Sequence, residues 1–103
     1  MTSRCSECMI HRVTLAETQA LADVRGYALA DRIKIEGHAR KRMRERGASY
    51  DDIRSALVTA KECQFQEEAR GEARWKVIGW DMVGDDLSVI VELTDGVVVV
   101  TLY

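Results

Sequence analysis

His38, Arg42 and Arg46 recur at every fourth position of a 103-residue chain, so on an α-helix they form a single row that drifts slowly round the axis. Histidine is the side chain whose ordinary pKa lies nearest neutrality, which suits it to take or give a proton. Arginine carries a fixed charge and grips phosphate through two parallel hydrogen bonds. The row therefore offers two things that phosphoryl transfer needs, a proton-transfer group and positive charge for a phosphorane-like transition state. Arg40, Lys41 and Arg44 are interleaved with it; they would hold a nucleic-acid backbone without regard to sequence, in binding that weakens as salt rises. Two blander readings compete. The stretch is a solvated basic face with a histidine that only accepts or donates a hydrogen bond, or it is a noncatalytic surface for nucleic acid or an acidic protein.

The elements that must position this row can be read from the surrounding pattern. Thr14 and Glu17 have capping-box spacing, and Leu21, Val24, Ala28 and Leu29 recur at helical period, predicting a first helix from Thr14 to about Arg32 with a bend or end near Gly26. Ile33-Lys34-Ile35 alternates as a short extended stretch before a second helix over His38 to Arg46, which Gly47 would cap. Ser49 and Asp52 repeat the cap spacing ahead of a helix burying Ile53, Ala56, Leu57 and Ala60. From Glu62 the period becomes that of strands, near 62–68, 73–82, 87–94 and 97–103, with turns at Arg70-Gly71, Gly84-Asp85 and Asp95-Gly96. The expected fold is α+β, N-terminal helices packed on a four-stranded antiparallel C-terminal sheet. Val97 to Val100 is apolar on both faces and suits an interior strand.

Length and composition set the outer bounds. At 103 residues, 47% hydrophobic and 31% charged, the chain suits a single domain over 1–103 with one core. Within it, 1–13 reads as a semi-ordered Cys-containing tail and 14–32 as an added helix. The formal charge of −2 hides a basic stretch at residues 40–46 and acidic pairs elsewhere, so local charge carries more information than the net value. No apolar run approaches the roughly 18 residues that span a bilayer, and the polar start lacks a secretory signal, so cytoplasmic residence and reduced thiols are expected.

The segment Ile35-Glu-Gly-His38-Ala39-Arg-Lys-Arg42-Met43-Arg-Glu-Arg46-Gly47-Ala-Ser49 resembles the signature of a bacterial family, domain of unknown function 4258. That signature runs His-Ala, Arg-Met and Arg-Gly before a capped helix, and its strands end in a Val/Thr-rich segment like Val98-Val-Val-Thr101-Leu-Tyr103. The likeness covers about residues 33–103; the N-terminal extension lies outside it, and Ala48 stands where the pattern has a larger hydrophobe. The resemblance implies a fold akin to the RelE, barnase and EndoU group of metal-independent ribonucleases, acting without a cofactor. It also implies a toxin of a toxin–antitoxin pair, with RNA as substrate and a protein antitoxin, often of zinc-finger type, as partner. By motif, His38, Arg42, Arg46 and Thr101 fall on the family's histidine, arginines and last-strand threonine. Tyr103 joins them as a side chain that could stack a base, and Arg40, Lys41, Arg44 and Arg74 as substrate-binding cations.

Other constellations are weaker. Cys5, Cys8 and His11 could ligate zinc, but a closed structural site needs a fourth ligand and Cys63 is the only spare thiol. Trp75 and Trp80 could form a stacking platform, although small sheets more often bury tryptophan. No phosphate-binding glycine loop is present. A third reading of the whole chain is a homo-oligomer that uses the valine-rich final strand as a pairing edge.

Overall fold

A computed structural model describes residues 15–103. The chain runs α1 (Leu15–Leu29), β1 (Ile33–Ile35), α2 (Gly37–Arg46), α3 (Tyr50–Val58), β2 (Glu62–Ala69), β3 (Glu72–Trp80), β4 (Asp86–Leu93) and β5 (Val97–Leu102). These elements make an α+β fold with a five-stranded mixed sheet in the order β1-β5-β4-β3-β2. Four strands form the expected antiparallel meander. The fifth is Ile33–Ile35, which pairs parallel with Val97–Val99. A three-residue alternation is too short to reveal a partner 64 residues away, so the expectation of four antiparallel strands is corrected to five mixed ones. The same pairing places β5 between β1 and β4 over Val97–Val99.

Helix α1 runs through Gly26 without breaking, because Ala20, Val24 and Ala28 bury one stripe on either side of it. Thr14, its expected cap, lies outside the described residues. Gly47 adopts φ 69° and closes α2 as a left-handed cap. Ser49 and Asp52 form the expected capping box at the start of α3. Arg70 and Gly71, both at positive φ, make the tight turn between β2 and β3. At the Asp95-Gly96 turn the glycine serves another purpose: a Cβ there would stand 2.7 Å from the Arg32 carbonyl, which accepts a hydrogen bond from Val97 N at 2.9 Å. Close approach of β1, more than turn conformation, requires glycine at this position.

One face of the sheet is covered. Helix α1 packs against β2, β4, β5 and α3, and α3 lies across β3 and β4. Gly79 lets α3 descend onto β3, since a Cβ would collide with the Ala56 carbonyl. Between the layers sit Val24, Ala28, Ile53, Leu57, Val77, Val89, Val91, Val97, Val99 and Leu102. Arg25 spans the layers to donate to the Ala60 carbonyl.

Candidate nucleic-acid interface

Helix α2 stands where β1 stops. Strand β1 pairs only with Val97–Val99, and Glu36 N continues to the Val99 carbonyl at 3.1 Å, which leaves the second half of β5 without a strand on that side. Ala39 is buried in the core and Met43 packs against it, so this line of α2 faces inward. At 3.6 residues per turn the row His38, Arg42, Arg46 lies on one flank of that line and drifts toward it by about 40° per step. Arg42 Nε donates to the Leu102 carbonyl at 3.2 Å, occupying the free edge of β5, while Nη1 meets Glu45 at 3.1 Å. The opposite flank carries Arg40, whose Nε donates to the Ile35 carbonyl at 3.2 Å. His38, Lys41, Arg44 and Arg46 are exposed, and their side chains bond no described group. The cations of α2 thus surround most of the helix, and only the flank of His38 and Arg42 adjoins the end of β5.

Sheet register decides which strand residues join them. Opposite the covered face, Thr101, Ile90, Lys76 and Gln64 stand in one row across β5, β4, β3 and β2. A neighbouring row holds Lys34, Val98, Glu92 and Arg74. On β5 the register shifts between the pairs Ile90–Thr101 and Val91–Val99. This bulge explains why Val99 and Leu102, three residues apart, are both core, and it turns Val100 and Thr101 together to the open face. Lys76 Nζ stands 6.0 Å from the centroid of the Tyr103 ring, and Tyr103 N is held by the Ser88 carbonyl at 2.9 Å. Thr101, Tyr103 and Arg42 therefore meet at the end of β5.

Arg74 belongs to a different arrangement. Its Nε donates to Glu92 at 3.0 Å, and Nη1 lies 3.4 Å from Glu67. The Glu92 bond, above all, holds the guanidinium pKa above its ordinary value. Two carboxylates thus engage Arg74 in an internal ion network. Sequence reasoning passed over Lys76, two residues along the same strand face. The alternation that places Arg74 on the open face places Lys76 there as well, which was the available signal.

The remaining candidates lie elsewhere. Cys5, Cys8 and His11 are outside the described residues, and no group of three metal-ligating side chains occurs among the described ones. Cys63 is buried beneath α1, and burial pushes its thiol up to about 12. Trp75 packs against the core and meets Phe65 edge to face at 5.8 Å. Trp80 is exposed with Lys61 Nζ 5.2 Å from its ring centroid. A cleft of about 430 Å³ between α1 and β2, lined by Glu17, Leu21, Lys61, Cys63 and Phe65, contains none of the candidate site residues. No helix among the described residues is long and apolar enough to cross a membrane.

The family model described as Domain of unknown function (DUF4258) matches residues 35–103. The match takes in α2 and every element after it, and the chain belongs to that family. No curated protein and no solved structure gives a significant match.

Proposed function

We propose that this member of the family is a toxin-like, metal-independent endoribonuclease, held in check in its cell by a protein antitoxin. One observation carries the reading. His38 is exposed and bonds no described group, and it shares a helix flank with Arg42, whose guanidinium reaches the β5 carbonyl between Thr101 and Tyr103. An exposed imidazole thus adjoins fixed positive charge at the rim of an open sheet.

In the reaction, His38 removes the proton from the RNA 2′-hydroxyl. The 2′-oxygen forms a bond to phosphorus as the bond from phosphorus to the 5′-oxygen breaks, water protonates that leaving oxygen, and the hydroxide so formed takes back the proton held by His38. The products are a 2′,3′-cyclic phosphate and a 5′-hydroxyl, and the step balances without a metal. Arg46 and the unoccupied edge of Arg42 hold the scissile phosphate. Arg40, Lys41 and Arg44 extend the cationic path for the flanking backbone. A fold relationship to the RelE, barnase and EndoU nucleases accords with helices on one side of a largely antiparallel sheet and a free opposite face.

A second reading draws on the spread of cations round α2. Lys41 and Arg44 point away from the sheet and are exposed, as a noncatalytic nucleic-acid-binding or acidic-protein-binding module would have them. Purified EDTA-treated protein incubated with total bacterial RNA, beside a folded His38→Ala variant, separates the two. Cleavage by the wild type alone supports the nuclease. Binding without cleavage, lost on changing Arg42 and Arg46 but not His38, supports the module.

A further inference from the structure

The centre of the open sheet face contains polar groups that the fold itself does not use. Lys76 is half-buried on β3 but has no carboxylate partner among the described residues, unlike Arg74 two positions away, which has two. The Thr101 hydroxyl is half-buried and makes no hydrogen bond with a described group. The Tyr103 ring is braced at one end of the face by Lys76 and by its own amide, yet the residue remains 48% exposed. Between them lies Ile90, only 4% exposed and outside the main core cluster. A small apolar floor is thus ringed by an ammonium, a hydroxyl and an aromatic ring. Lys76 and Thr101 are two strands apart, roughly 10 Å, a span suited to one nucleotide unit. Beyond Arg74 the same face turns acidic with Glu92 and Glu67, which closes it to a polyanion on that side.

We propose that Lys76, Thr101 and Tyr103 form a subsite for one unpaired nucleotide of RNA, the base stacked on Tyr103 and the adjoining phosphate held by Lys76. The substrate class is accordingly single-stranded RNA, because a base locked in a duplex cannot present its face to Tyr103. The inference takes RNA as ligand from the nuclease reading and depends on it in that respect alone. The backbone runs from the flank of His38 and Arg42 across the end of β5 to Lys76 and stops short of Glu92.

The test is fluorescence anisotropy with a labelled 2′-O-methyl RNA decamer, which binds but cannot be cut. Tyr103→Ala should weaken binding about tenfold and Tyr103→Phe hardly at all, since the ring and not the hydroxyl is used. Lys76→Ala should weaken it and flatten the dependence of log affinity on log salt by about 0.7, the loss of one single-strand phosphate contact. The matching duplex should bind more weakly than the single strand. Wild-type affinity in both Tyr103→Ala and Lys76→Ala, with folding verified by circular dichroism, would overturn the subsite, as would equal affinity for the duplex. If wild type fails to cleave ordinary RNA while these binding losses appear, the nuclease reading falls and the subsite stands; if cleavage depends on His38 but not on Lys76 or Tyr103, the reverse holds.

Discussion

Strand β3 shows the two sides of the sheet at a spacing of one residue. Val77 and Gly79 lie buried beneath α3, where even a methyl group on Gly79 would strike the Ala56 carbonyl. Arg74 and Lys76, alternating with them, face the open side, one tied to Glu92 and Glu67 and the other to the Tyr103 ring alone. The covered side is filled with valines, alanines and leucines that satisfy one another, whereas on the open side Lys76 has no carboxylate partner and the Thr101 hydroxyl no hydrogen bond among the described residues. A folded chain gains little from polar groups held half-buried and unpaired. Their presence on one side only is the physical reason for locating function there.

Substitutions on the covered side should damage stability most. Leu57→Ala, at a position with 0% exposure, should cost about 3 kcal/mol in urea denaturation. Gly79→Val should cost about as much by forcing α3 off the sheet. A loss below about 1 kcal/mol in both would show the covered side to be loosely packed and blur the contrast.

The contrast sharpens within the open side. Arg74→Met should lower stability only slightly, since its ion pairs reach the surface, and should leave RNA affinity close to wild type. A tenfold fall in affinity would return Arg74 to the binding surface and count against its assignment to the internal network.

The capping box at α3 gives a smaller, pH-dependent effect. Ser49 N and Met82 N each donate to Asp52 at 3.0 Å, and these bonds, that from Ser49 foremost, hold its carboxyl below the usual carboxylate range. A group whose pKa is depressed by folding stabilises the fold above its unfolded pKa and loses that contribution as pH falls through the folded value. Asp52→Asn should therefore lower Tm at pH 7, by an amount reflecting a cap worth about 1 kcal/mol. The gap to wild type should narrow as pH falls below the ordinary Asp value and through the depressed folded-state one. A gap unchanged at low pH would show that the charge of Asp52 is not what stabilises the cap.

The positions of the helices and of the four antiparallel strands were legible from periodicity, because caps at Gly47 and Ser49 and turn residues such as Arg70-Gly71 are local signals. The parallel partner of β5 was not, since Ile33-Lys34-Ile35 carries no mark of what it will pair with. The site was legible on α2, where His38 and Arg42 share a flank by spacing alone. It was illegible on the sheet, because whether Arg74 or Lys76 is free depends on where Glu92 and Glu67 arrive, and that is fixed by register between strands. The bulge that turns Val100 and Thr101 to one side likewise has no signature in four consecutive valines.

The most direct test of a working open face is a methyl NMR titration with the uncleavable single-stranded decamer. Resonances of Thr101, Ile90 and Val100 on the open side should shift and saturate together, while those of Val24, Ala28 and Leu21 beneath the helices stay in place. Shifts confined to the helix side, or to the exposed Met82 and Val83 at the tip of the β3–β4 turn, would contradict the account and move the binding surface elsewhere.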